Sequence, residues 1–136
     1  MISFNYETKF QLKKEPIISD WISQVIDTEG YKQGNINYVF CEDAYLHKLN
    51  IEFLSHDSFT DIISFDESIG KIINGDIFIS IERVKENAAK YNTTFLDELC
   101  RVMVHGVLHY CGYKDKTDNE TEAMRKKENF YLALLS

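Results

Sequence analysis

Three helix-boundary signals fall close together near the C-terminal end of this chain, and they fix more of its folding than any other feature. Thr94 with Asp97 three residues on reads as a helix start, and the apolar series Leu99, Val102 and Met103 continues at helical spacing. Gly112 reads as the stop, because glycine past a helix end adopts the left-handed conformation without a Cβ clash. Thr117 with Glu120 is a capping box that starts another helix. The chain must therefore form a helix, a sharp reversal and a second helix. Just before the reversal stand His105 and His109, four residues apart and so on one face of the first helix.

That placement gives the histidines a common direction. Two imidazoles one turn apart can point ring nitrogens at a single ion about 2 Å from each, and the turn at Gly112 can return Asp115 as a third ligand. The full spacing is His-x-x-x-His-x-x-Gly-x-x-Asp. Two neutral nitrogens and one carboxylate oxygen suit zinc better than magnesium, which prefers more oxygens. Three protein ligands leave one position open, as a catalytic zinc requires, so we expect one Zn2+ per chain with an open coordination position. The alternative is ordinary helix use of the pair, one ring bonded to a carbonyl and the other facing water.

Zinc proteases carry a glutamate base directly after the first histidine, whereas this chain has Gly106. A base must come from elsewhere, and Glu98, about two turns back on nearly the same face, is the nearest candidate for a catalytic residue. It can equally orient a ligand or stand as a solvated carboxylate. Tyr110 and Tyr113 can stack on bases or pack in the core. Cys111 lies on a different helix face from His109 and reads as buried packing.

The rest of the sequence alternates strands with helices. Ile2 to Phe10 alternates as a strand, Ser19 to Gly30 reads as a helix with Ile22, Val25 and Ile26 inward, and Ile36, Tyr38 and Phe40 form a second strand. A helix is expected over 42–54, two antiparallel strands over 61–65 and 76–81, and a helix after Ser80 that stops at Asn92. The last helix offers Ala123, Met124, Phe130, Tyr131 and Leu134 to the core. These elements predict an α+β fold, a small mixed four-stranded sheet covered by helices, with the metal-binding motif on a central helix, and one domain over 1–136.

Composition narrows the function. A net charge of −7 argues against broad electrostatic adhesion to nucleic acid, so any such contact must be local. The cationic candidates are Arg83, Lys85, Arg101, Lys114 and Lys116, with Arg125, Lys126 and Lys127 in the final helix, each of which can also simply solvate a helix face. Three cysteines without framework spacing read as reduced thiols in a cytoplasmic protein, and no run is long enough to span a membrane.

Residues 105–115, together with Leu49-Asn50, His56-Asp57, the Thr60 to Phe65 run, the Gly75 to Ser80 run, and Met124 and Glu128, resemble the YbeY family of ribosomal-RNA maturation factors. The resemblance implies a metal-dependent, single-strand-specific endoribonuclease acting in small-subunit (16S) rRNA maturation and ribosome quality control. Its partner would be single-stranded RNA in a rRNA precursor or ribosomal subunit. Two positions depart from the family pattern. The usual third ligand is histidine and here is Asp115, whose charge should soften the Lewis acidity of the ion. Leu54 stands where many relatives carry an arginine that engages RNA, leaving His56, Arg101 and Lys114 as the candidates for RNA contact. Two other readings compete: a metal-dependent hydrolase of another substrate class, and a non-catalytic ribosome-assembly factor with a structural metal.

Overall fold

The computed structural model describes residues 1–55 and 60–135, and His56 lies outside the described residues. The elements run β1 (Ile2–Tyr6), α1 (Glu15–Thr28), β2 (Lys32–Cys41), α2 (Asp43–Leu54), β3 (Ile62–Asp66), β4 (Ile72–Ser80), α3 (Ile81–Lys90), α4 (Phe95–Tyr110) and α5 (Asp118–Leu135). The fold is α+β with a mixed four-stranded sheet in the order β1-β2-β4-β3. β1, β2 and β4 are parallel, with Phe4 opposite Tyr38 and Tyr38 opposite Ile77. β3 returns antiparallel to β4 and forms one edge.

The period-2 alternation of the strands gives the sheet two different faces. Ile36, Tyr38, Phe40, Ile77 and Ile79 point to one side, where they join Trp21, Ile22 and Val25 of α1 and Leu99, Met103 and Val107 of α4 in the main core. Cys41, Ile63, Phe65 and Phe78 point to the other, and α2 covers them with Leu46 and Leu49. α4 is central, touching β3, β4, α1, α3 and α5. Leu99, Met103, Val107 and Leu108 are fully buried along it. Each such side chain contributes up to about 2 kcal/mol, which is what allows α4 to carry a polar stripe on its remaining face.

Several boundaries differ from the sequence reading. β1 ends at Tyr6, because its partner ladder on β2 ends at Phe40; Phe10 instead packs edge-on against Phe40 and Phe95. α1 begins at Glu15 rather than at Ser19, with Lys14 in a left-handed conformation and Pro16 in the first turn, where its missing N–H costs nothing. In α5, Phe130 and Leu134 are about half exposed. The inward stripe there is Met124, Glu128 and Tyr131. Tyr91, which the spacing Val84, Ala88, Tyr91 would put on the inner face of α3, is also exposed.

The three cysteines are free and buried, and burial pushes each thiol up to about 12. Among the described residues, no helix is long and apolar enough to cross a membrane.

Candidate metal centre

α4 starts as its capping signal requires: Thr94 Oγ1 accepts from the Asp97 amide at 3.1 Å. It ends in a paired closure, with the Tyr113 amide donating to Leu108 O and the Gly112 amide to His109 O, both at 3.0 Å. Gly112 holds a φ of 98°, which a Cβ would oppose. The next capping box follows at once. Glu120 accepts from the amides of Lys116 and Thr117, and Thr117 Oγ1 accepts from the Glu120 amide. Thr121 Oγ1 donates to Asp115 O at 3.1 Å, so Asp115 is held between two fixed turns.

This local structure folds Asp115 back over the histidine face. His105 Nε2 and His109 Nε2 are 2.9 Å apart, and Asp115 Oδ2 is 3.3 Å from each. The remaining ring nitrogens decide what that triangle is. His105 Nδ1 lies 2.7 Å from Glu128 Oε2, and His109 Nδ1 lies 2.9 Å from Tyr113 O. A carboxylate and a carbonyl can only accept, so both Nδ1 atoms donate and, in the neutral rings, both Nε2 atoms present lone pairs. Two lone pairs and a carboxylate oxygen converging on one point repel unless a proton or a cation lies among them. Zinc bonds of about 2.0–2.1 Å in tetrahedral geometry set ligand atoms about 3.3 Å apart. The donor set, its tautomers and the two 3.3 Å separations to Asp115 fit that ion, while the 2.9 Å between the Nε2 atoms is shorter than it sets.

Around the triangle lies a cleft of about 450 Å³ whose wall includes Asp61, Glu98, Arg101, Tyr91 and Arg125. Glu98 and Glu128 are almost wholly buried. Burial pushes the Asp61 and Glu98 carboxyls above their ordinary values. Burial pushes Glu128 the same way, but hydrogen bonds from His105 and Arg101 outweigh it and hold its carboxyl below the usual range. Burial disfavours charge on His105, yet Glu128, with Asp115 and Asp61 nearby, raises its pKa.

The structure brings His105, His109, Asp115, Glu98 and Arg101 to one cleft. Arg101 is engaged there, donating to Glu128 Oε1 at 2.9 Å and to Asn129 Oδ1 at 2.8 Å. Lys114 is exposed beside Asp115 and is not part of the cleft wall. Leu54 is an exposed residue at the end of α2. Tyr110 is buried, donating to backbone carbonyls of β3 and β4, and the Tyr113 hydroxyl donates to Glu29, so both serve packing. Cys111 is buried and faces a separate hollow with Glu29 and Tyr31. Gly106 packs on the sheet, where an added Cβ would lie 3.1 Å from both Ile62 and Ile77. The position that carries the base in zinc proteases is here a helix-to-sheet contact.

Glu128 is the residue whose task sequence reasoning missed. Its signal was available: an acidic residue in step with Met124 and Tyr131 on the inward stripe of an amphipathic helix needs a buried partner.

The sequence profile of the family described as Endoribonuclease YbeY matches residues 2–136. A Flavobacterium johnsoniae protein named Endoribonuclease YbeY is 56% identical over 134 residues, covering 98% of this chain and 96% of its own. A Christiangramia forsetii protein of the same name is 51% identical, covering 98% and 93%. A Thermotoga maritima protein solved in solution has a TM-score of 0.69 at 25% identity, covering 99% of this chain and 89% of its own.

Proposed function

The chain belongs to the YbeY family of metal-dependent endoribonucleases, and from that premise we propose that it is a zinc-dependent, single-strand-specific nuclease of small-subunit rRNA precursors, working in rRNA maturation and ribosome quality control in the cytoplasm, with residues 1–136 acting as one unit. One observation carries the metal assignment: two Nε2 lone pairs, their tautomers set by Glu128 and Tyr113, converge with Asp115 Oδ2. His105, His109 and Asp115 would hold one zinc per chain. When bound there, the ion supplies Lewis acidity toward a phosphodiester oxygen or a water.

The chain's own groups do the rest. Glu128 and the Tyr113 carbonyl keep both rings turned inward and make them better donors. Glu98, with its carboxyl pushed up by burial on the same cleft wall, takes the proton of the attacking hydroxyl. That hydroxyl is the 2′-OH of the RNA or a water. Phosphate contact is assigned to Lys114 beside Asp115 and to His56, with Arg101 at the cleft wall adding positive charge while it holds Glu128. A peptide-hydrolase reading gains nothing from the site, because Gly106 supplies no base and packs against the Ile62 and Ile77 side chains of the sheet.

The test is elemental analysis of the purified chain beside a His105→Ala/His109→Ala variant, with a single-stranded RNA cleavage assay on both. The expected result is near one zinc per wild-type chain, almost none in the variant, and cleavage lost with the metal. No zinc in either, even after it is supplied, would overturn the reading. Cyclic or 3′-phosphate ends would identify the 2′-OH as nucleophile; 5′-phosphate with 3′-hydroxyl ends would identify water.

A further inference from the structure

The cleft that would admit an RNA strand is acidic. Asp61, Glu98, Asp115 and Glu128 all line it, in a chain of net charge −7. A phosphate can enter only where a cation is both present and available. The arginines in the cleft wall are Arg101 and Arg125, and the two are bound differently. Arg101 donates to Glu128 and Asn129 through short bonds, and its side chain is 23% exposed. Arg125 is 57% exposed and meets the same Glu128 oxygen at 3.5 Å, an ion pair too long and too wet to hold it firmly.

Releasing each has a different consequence. If Arg101 turned toward a phosphate, the buried Glu128 carboxylate would lose its closest cation. If Arg125 turned, Glu128 would keep both Arg101 at 2.9 Å and His105 at 2.7 Å. Arg125 is thus one carboxylate away from the ring that faces the metal position, and can leave that carboxylate without stranding it.

We propose that Arg125 on α5 is the phosphate-binding arginine of this cleft, gripping the backbone of the RNA strand next to the scissile phosphate. The assignment rests on the reading of the cleft as a single-strand RNA site. The planar guanidinium can take two phosphate oxygens at once, which lysine cannot. The exchange of Glu128 for phosphate also makes the grip self-limiting, since the carboxylate takes the arginine back when the product leaves.

The experiment is fluorescence anisotropy of a short, labelled, fully 2′-O-methylated single-stranded RNA with the zinc-loaded chain, repeated over a salt series, with strand integrity checked on a gel. Arg125→Ala should weaken binding by about fivefold to tenfold at low salt. It should also flatten the dependence of log K on log salt by about 0.7, the share of one phosphate contact on a single strand. Arg125→Lys should keep the slope and lose part of the affinity. Lys126→Ala removes the same charge from the neighbouring position, where the side chain pairs with Glu122 outside the cleft, and should change binding by less than about twofold. If wild type binds and Arg125→Ala behaves like Lys126→Ala, the assignment is overturned while the nuclease reading stands. If wild type binds no single strand at any salt, the reading and the assignment fall together.

Discussion

Two carboxylates, the buried Glu128 and the partly buried Glu29, show the same physical device put to different ends. Each accepts from three donors. Glu128 receives His105, Arg101 and, at longer range, Arg125. Glu29, in the cap position after α1, receives the hydroxyls of Tyr113 and Tyr131 and the Lys127 ammonium. Burial alone would push both carboxyls up, and in both the donors prevail and hold them low. The difference lies in what the donors have left over. A tyrosine hydroxyl bonded to Glu29 has its single proton engaged and ends a network that ties the end of α1 to α5 and to the turn after α4. His105 has a second nitrogen, and orienting the first one aims the second into the cleft. A saturated carboxylate is structural or functional according to its partner, not its own burial.

Removing the functional partner should separate the regions most sharply. His105→Ala should lower zinc content from near one per chain to near none and RNA cleavage by on the order of 10³-fold or more. Measured against the zinc-free wild-type chain, the melting temperature should move by only a few degrees, because the His105 ring is partly exposed at the cleft and is not one of the core side chains. Unfolding of this variant would show instead that the site is part of the framework.

The carboxylates themselves come next. Glu128→Ala should weaken zinc binding by about 10–100-fold, measured by competition with a chromogenic chelator, and cost about 3 kcal/mol in urea unfolding, since it strands Arg101. Glu29→Ala should cost about 2–3 kcal/mol, with zinc affinity within about threefold of wild type. Equal losses of zinc affinity in the two variants would collapse the distinction.

Acid should give the smallest separation. The Glu29 carboxyl is held below its ordinary 4.5, so its stabilising contribution is complete above that value and is lost as pH falls through the lower folded-state value. Unfolding free energy of the zinc-free chain should therefore fall below about pH 4.5, and Glu29→Gln should flatten part of that fall. An unchanged slope would mean that other carboxylates dominate the acid limb.

Much of the fold was legible because its signals are local. Thr94, Gly112 and the Thr117–Glu120 pair each act within one helical turn, and all three boundaries stand where those residues put them. The spacing that brings His105, His109 and Asp115 together is local for the same reason. What escaped depends on distant partners. The pairing of β1 with β2 ends at Tyr6 opposite Phe40, and nothing in the alternation of the first strand encodes that. Phe130 and Leu134 look like core residues by type, yet α5 is oriented by Glu128 and Tyr131, whose partners lie on α4 and α1. The start of α1 rests on a left-handed Lys14, which no residue preference announces.

The dependence of His105 on a residue from the last helix also has a bearing on how the molecule comes into being. A polypeptide leaves the ribosome from its N-terminal end, so α4, with both histidines, emerges ahead of α5. Until α5 docks, His105 lacks the acceptor that fixes its ring, and Arg125 is not yet at the cleft. An RNA-cutting chain that is itself made on an RNA machine is thereby born unarmed, and its candidate metal site is completed only after α5 has followed α4 out.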